Sequence, residues 1–291
     1  MSLKIAKKQL MEMLGDEDHK VIALSGKWGI GKTTLWEQVK LETEDEKVKG
    51  ALYVSLFGLS SIDQLKGKLL EASIPLPDSE GDKVSVIAEL FTATSTYLKP
   101  LETIAKVGTS LLAPKVLCNK LIVIDDIERK EAKLGISEIL GFIDEYSVQH
   151  SAQFVLILNE EKIPQVDDQK VLWVTFREKV IDHEVKLSTT PKEAFEIAIK
   201  LMPSRYADVI KKASSTCNLT NIRIIKKIIK TTNKLLAERD LEATILARVV
   251  PSIVLFTAIY LNGMDEGLDF KFAINIGNVT DDFAKRLEQD F

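Results

Sequence analysis

The residues best suited to chemistry stand together near the N-terminus. Gly26-Lys27-Trp28-Gly29-Ile30-Gly31-Lys32-Thr33 fits the spacing GxxxxGK[ST] at every position. It follows an apolar run at 21–25 and leads into a helix-forming run at 34–40. Glycines let a backbone wrap closely round an anion and point several N–H groups at it, and the start of a helix adds a favourable dipole. In such a loop Lys32 reaches the β- and γ-oxygens of a nucleotide and the Thr33 hydroxyl coordinates Mg²⁺, with Thr34 opening the helix behind them. Gly26 to Thr34 are therefore the candidate nucleotide-binding residues. Trp28 has two readings, a stacking partner near the base or a plug in the protein surface.

A second acidic site ends the apolar run 121–125, Leu-Ile-Val-Ile-Asp, followed by Asp126, Ile127, Glu128 and Arg129. A carboxylate at the tip of a buried strand beside the loop can hold the hydration shell of Mg²⁺, which assigns Asp125 with Thr33 to the metal. Asp126 stands where a water-polarising carboxylate is expected, one methylene shorter than a glutamate, so hydrolysis is expected to be slow. Glu128 is the alternative base, with a structural salt bridge as its competing role. The run 154–159 ends in Asn159, an amide placed to orient the attacking water or touch the γ-phosphate.

These residues need strand tips to carry them. Apolar runs at 21–25, 51–57, 121–125, 154–159 and 184–187, separated by helix-length polar stretches, predict buried parallel strands of an α/β sheet. The interval 58–120 is too long for one crossover and predicts a helical insertion with pieces at 62–72, 84–97 and 101–112. After Leu187 the pattern becomes helical. Thr190, Pro191 and Glu193 predict a capping box with proline at the first helical position, and helices are expected at 192–201, 205–213 and 221–237. The domains expected are a core at 1–188, a helical lid at 189–239 and a mostly helical region at 240–291 without further assignment.

Composition bounds the function. Lys+Arg 39 against Asp+Glu 43 gives a net charge of −4, so no global basic field recruits nucleic acid or anionic lipid. The content of 45% hydrophobic and 28% charged residues is that of a globular chain rather than a disordered one. Cys118 and Cys217 lie far apart without CxxC spacing, which predicts neither a disulfide framework nor a metal cluster and suits a reducing cytoplasm. The polar start, with Lys4, Lys7 and Lys8, does not read as a signal peptide. The charge-free run 249–264 falls short of a membrane span and predicts a buried helix. Locally, 205–239 holds nine Lys or Arg against Asp208 and Glu238. Arg223, Lys226, Lys227, Lys230 and Lys234 fall on one helical face opposite the isoleucines, either as a solvated face or as a surface for phosphates.

The loop, together with Val54-Ser55-Leu56-Phe57-Gly58, Asp125-Asp126-Ile127-Glu128-Arg129 and Asn159-Glu160-Glu161-Lys162-Ile163, resembles the KAP family of P-loop NTPases, a branch of the AAA+/STAND-like ATPases. The resemblance runs from about residue 20 to 230. It implies a three-layer P-loop NTPase sandwich whose parallel sheet has the order 5-1-4-3-2, followed by a small all-α lid, with ATP and Mg²⁺ as ligands. It also implies use of the nucleotide as a switch in signalling or, for bacterial members, in phage exclusion. Arg223, at the head of the basic helix, is similar in position to a lid arginine that senses the γ-phosphate, and Arg129 and Arg177 are candidates for an arginine finger. Many family members carry transmembrane helices between the two acidic and glycine-rich motifs, but here Glu89, Lys99, Glu102, Lys106 and Lys115 occupy that interval, so no span is expected there. The partners expected are nucleotide and a protein effector or a second copy of the chain. Two other readings stay open: a nucleic-acid-associated ATPase using the basic helix, and a nucleotide-binding scaffold without turnover.

Overall fold

The computed structural model describes residues 1–73, 112–159, 174, 177–237 and 239–261. The expected helices at 84–97 and 101–112 lie almost wholly outside the described residues, as does all of 262–291. Five strands form one sheet: β1 (Val21–Ser25), β2 (Leu52–Ser55), β3 (Leu121–Asp125), β4 (Gln153–Leu158) and β5 (His183–Lys186). All pair in parallel, in the order β2-β3-β4-β1-β5. Read from the other edge this is the expected 5-1-4-3-2.

Every residue of β1, β3 and β4 is buried, as continuous apolar runs require when both faces of a parallel sheet are covered. The register aligns the strand ends that matter. Ser25 pairs with Leu158 and Lys186, and Asp125 pairs with Ser55 and Ile157. The glycine loop after Ser25, the carboxylates at 125–126 and Asn159 after Leu158 therefore leave the sheet at the same edge, the carboxyl ends of the strands, where ligands of open α/β sheets bind.

The chain divides into two compact units. The first comprises residues 1, 3–27 and 32–187, and the second comprises 2, 28–31 and 188–291. In the first unit, helices α1 (Leu3–Leu14), α2 (Lys32–Glu42), α3 (Glu46–Lys49), α4 (Ile62–Ser73) and α5 (Ile136–Gln149) accompany the sheet. The sequence pattern does not mark helix α1 as an element. Its buried Ala6, Leu10, Met13 and Leu14 fall on one stripe interleaved with the lysines that made the segment look uniformly polar. One core cluster joins Ile122, Ile124 and Phe154 from the sheet to Leu65 and Leu69 of α4 and Phe142 and Tyr146 of α5. Phe142 packs against Tyr146 at a ring separation of 4.4 Å and edge-on to Phe154 at 6.1 Å.

The second unit is helical: α6 (Pro191–Leu201), α7 (Ala207–Thr216), α8 (Ile222–Leu236) and α9 (Ala243–Tyr260). Thr190 caps α6 as its sequence predicts. Its hydroxyl accepts from the Glu193 N–H at 3.3 Å, and the Glu193 carboxylate accepts from the Thr190 N–H at 3.0 Å. The core is built from Phe195, Ile210, Ile225, Ile228, Ile229 and Val254 with their neighbours.

The expectation of a buried helix at 249–264 needs correction. The helix spans Ala243–Tyr260 and buries Val250, Val254, Ala258 and Ile259, which fall along one side. Ile245, Leu255, Phe256 and Tyr260 are exposed. Scattered apolar residues without charges say nothing by themselves about which side faces the core. By length and composition alone α9 is apolar enough to cross a membrane, which a count of charge-free residues did not anticipate.

Candidate functional site

The loop after β1 owes its course to glycine. Gly26, Gly29 and Gly31 have φ of 152°, 74° and 102°, conformations that residues with a Cβ rarely adopt. Lys32, the first residue of α2, is buried to 8% exposure. Its ammonium donates to the Gly26 and Lys27 carbonyls at 2.7 and 2.9 Å, so the side chain bends back along the loop it serves.

Thr33 and Asp125 come together as the sequence predicts for a metal pair. The Thr33 hydroxyl donates to Asp125 Oδ2 at 3.1 Å. The same oxygen accepts from the Tyr53 hydroxyl at 2.6 Å, and Oδ1 accepts from the Asp126 N–H at 2.7 Å. Burial pushes the Asp125 carboxyl above its ordinary value, while the hydrogen bonds from Tyr53, the Asp126 N–H and Thr33 pull it back toward ionisation. Burial and the hydrogen bond to Asp125 raise the Tyr53 phenol strongly, keeping it a donor. A hydroxyl and a carboxylate side by side are the hard oxygen donors that Mg²⁺ takes. No local signal marks Tyr53. It lies on β2, where its alternation with buried Leu52 and Val54 reads as an outward-facing strand residue, and only the pairing of β2 with β3 brings it to Asp125.

Asp126 and Glu128 diverge. Asp126 sits at φ 58°, which turns its carboxylate to accept from the Ser55 hydroxyl at 2.8 Å and from the Arg129 guanidinium at 3.4 Å. Arg129 also stacks on Phe57, 4.1 Å from the ring centre, and its carbonyl accepts from the Gly58 N–H at 3.5 Å. The two sequence segments that carry the family resemblance at the ends of β2 and β3 thus bind one another. Glu128 Oε2 accepts from the Asn159 N–H at 3.3 Å, and Asn159 itself is buried. The structure brings Glu128 to Asn159 and Asp126 to Ser55 and Arg129. Arg177 pairs with Glu184, which also accepts from the Ser25 hydroxyl.

In the second unit, Trp28–Gly31 pack with the helices. The Ile222 N–H donates to the Gly29 carbonyl at 2.7 Å, Asn221 Nδ2 to the Trp28 carbonyl at 3.1 Å, and the Thr189 hydroxyl to the Ile30 carbonyl at 2.6 Å. Asn221 Oδ1 meanwhile caps α8, accepting from the Arg223 and Ile224 N–H groups at 3.0 and 3.3 Å. Trp28 is 45% exposed. Arg223, one residue beyond Ile222, is exposed. Asn221 is legible as a helix start and Thr189 only as the edge of the lid, but nothing in their local sequence marks a tie to the loop about 160 to 190 residues away.

The fold and this loop define a P-loop NTPase. Residues 4–72 match the model of the KAP family P-loop domain, in agreement with the resemblance read from the sequence; the match spans α1, the loop and β2. No curated protein matches the chain. Among solved structures, the chain is similar to the ORC2 protein of Aeropyrum pernix in ADPNP–ADP complexes, with a TM-score of 0.50 at 14% identity over 86% of this chain and 66% of that one. It is also similar to Cdc6p from Pyrobaculum aerophilum, with a TM-score of 0.47 at 16% identity over 80% of this chain and 61% of that one. Domain III of the replication initiation protein DnaA from Thermotoga maritima gives 0.45 at 14% identity, over 84% and 90%. The chain thus spans less than two thirds of the length of the first two, and at these identities the likeness concerns the fold alone.

Proposed function

We propose that the protein binds ATP with Mg²⁺ and hydrolyses it slowly, using the nucleotide as a switch. The observation that carries this reading is the Thr33 hydroxyl lying 3.1 Å from the buried Asp125 carboxylate at the end of a complete GxxxxGK[ST] loop. Thr33 and Asp125 would hold the ion, which supplies charge neutralisation to the phosphate oxygens when bound. Loop N–H groups and the Lys32 ammonium bind and orient the triphosphate, and Lys32 offsets charge that develops on the γ-phosphoryl oxygens. Tyr53 donates to Asp125 and holds its carboxylate in one orientation. Glu128, linked to the Asn159 backbone, is the group we assign to orient the attacking water. Asp126 is engaged by Ser55 and Arg129 and serves to shape the turn. Arg223 senses the γ-phosphate in this reading, as the family resemblance implies.

The switch is supported by the ties of Trp28, Gly29 and Ile30 to Asn221, Ile222 and Thr189: a rearrangement of the loop carbonyls has to be felt at the start of α8. Phage exclusion through a protein effector in the cytoplasm is the biological setting we favour for it. Single-turnover phosphate release tests the hydrolytic part. Glu128→Gln should lower the rate by ~10²-fold or more with nucleotide affinity retained, and Asp126→Asn by much less. Equal rates for Glu128→Gln and the unmodified protein would remove Glu128 from the mechanism.

A further inference from the structure

Helix α8 carries Arg223, Lys226, Lys227, Lys230 and Lys234 and no acidic residue. Arg223, Lys227, Lys230 and Lys234, spaced by four, three and four residues, share one face. All four are exposed, Lys226 is half-buried beside them, and Ile225, Ile228 and Ile229 are fully buried on the other side. None of the five pairs with an acid among the described residues. Other cations of this unit do: Lys211 with Glu196 at 3.7 Å and Arg205 with Asp240 at 3.3 Å.

This arrangement works against the helix. Like charges four residues apart, at 223/227, 226/230 and 230/234, repel one another, and cations in the first turns oppose the helix dipole. In a chain of net charge −4 the excess is a local feature, and no acid among the described residues pairs with it.

We propose that this face of α8 binds the phosphate backbone of duplex nucleic acid without reading its sequence. From Arg223 to Lys234 the stripe is ~16 Å long at 1.5 Å per residue. Over that length of duplex axis the two strands together present about nine phosphates, one per ~1.7 Å, and those bordering the groove against α8 can supply one for each cation. An anionic membrane fits less well, because the apolar side that an interfacial helix inserts into lipid is already buried in this unit's own core. A single strand fits less well too, because α8 has no aromatic side chain on which unstacked bases could lie. The proposal concerns the nucleotide-free protein, in which Arg223 is not engaged with a γ-phosphate.

The test is fluorescence anisotropy of the full chain with a labelled random-sequence duplex of about 25 base pairs between 50 and 200 mM salt. With ~0.9 log unit of slope per neutralised phosphate, five contacts predict a log–log slope near −4.5 and a loss of affinity of roughly 500-fold across that range. The variant carrying Lys226→Gln, Lys227→Gln, Lys230→Gln and Lys234→Gln keeps helix propensity and should flatten the slope to about −1 with unchanged circular dichroism. Lys230→Gln alone should flatten it by ~0.9, which keeps the test usable if the fourfold variant misfolds. Lys47→Gln with Lys49→Gln, on α3, should leave the slope unchanged. A slope shallower than −1 in the unmodified protein, the same slope in the α8 variants, or tighter binding to phosphatidylserine vesicles than to the duplex would each overturn the proposal.

Discussion

Gly29→Ala should destabilise the protein through one side chain, Asn221. At Gly29 φ is 74°, and an added Cβ would lie 2.0 Å from Asn221 Oδ1 and 2.4 Å from its Cγ. The left-handed conformation alone costs a residue with a Cβ about 1 kcal/mol or somewhat more. Pushing Asn221 aside also forfeits its cap of α8, worth ~1 kcal/mol, and its bond to the Trp28 carbonyl, worth ~1 kcal/mol. The total is about 3 kcal/mol. Asn221→Ala alone should cost ~2 kcal/mol, the cap and the bond together. The double variant separates this account from a general intolerance of the loop. Once Asn221 is truncated the Cβ has nothing to displace, so the double variant should lose about 3 kcal/mol, no more than Gly29→Ala, instead of the additive ~5. Urea denaturation of the four proteins, followed by circular dichroism and compared at equal slope, gives the cycle. Additive losses would refute the reasoning, because they would mean that Gly29 and Asn221 act independently.

Two further outcomes follow from the same geometry. Arg223→Ala should narrow the ratio of ATP to ADP affinity, and Lys230→Ala, two turns along the same stripe, should not; dissociation constants for both nucleotides decide it, and equal effects would remove Arg223 as a sensor. Asp125→Asn deprives the Tyr53, Thr33 and Asp126 donors of a full set of acceptors and should lower the thermal midpoint, but by less at pH 7 than at pH 4, because burial lifts the Asp125 carboxyl above its ordinary 3.8 and the folded state holds it charged at a cost. That cost is present above the raised folded value and is relieved as pH falls through it toward 3.8. The deficit of the variant should therefore grow from pH 7 to pH 4, and a deficit that shrinks on acidification would contradict the assignment.

What could be read from the residues was whatever lies in one short stretch. The glycine loop, the Asp125 strand tip and the Thr190 capping box are contiguous, and the physics that fixes them is local. The strand order became readable only through the family resemblance, since continuous apolar runs announce buried strands without saying which are neighbours. The partition between Asp126 and Glu128 was illegible for a different reason. One residue in the left-handed region at Asp126 redirects both carboxylates, and no local signal announces it. Tyr53 and Asn221 depend on pairings across tens to hundreds of residues. Helix α9 shows the converse limit, since its apolar composition was plain and the side it buries was not.

The central claim is that the loop from Gly26 to Thr33 holds Mg·ATP, and calorimetric titration of the unmodified protein and of Lys32→Ala tests it most directly. Lys32 supplies a charge-assisted contact to phosphate worth ~1.5–3 kcal/mol, so the substitution should weaken Mg·ATP by roughly 10- to 150-fold, with the fold intact by circular dichroism. Equal affinities for the two proteins would mean that nucleotide binds elsewhere or not at all.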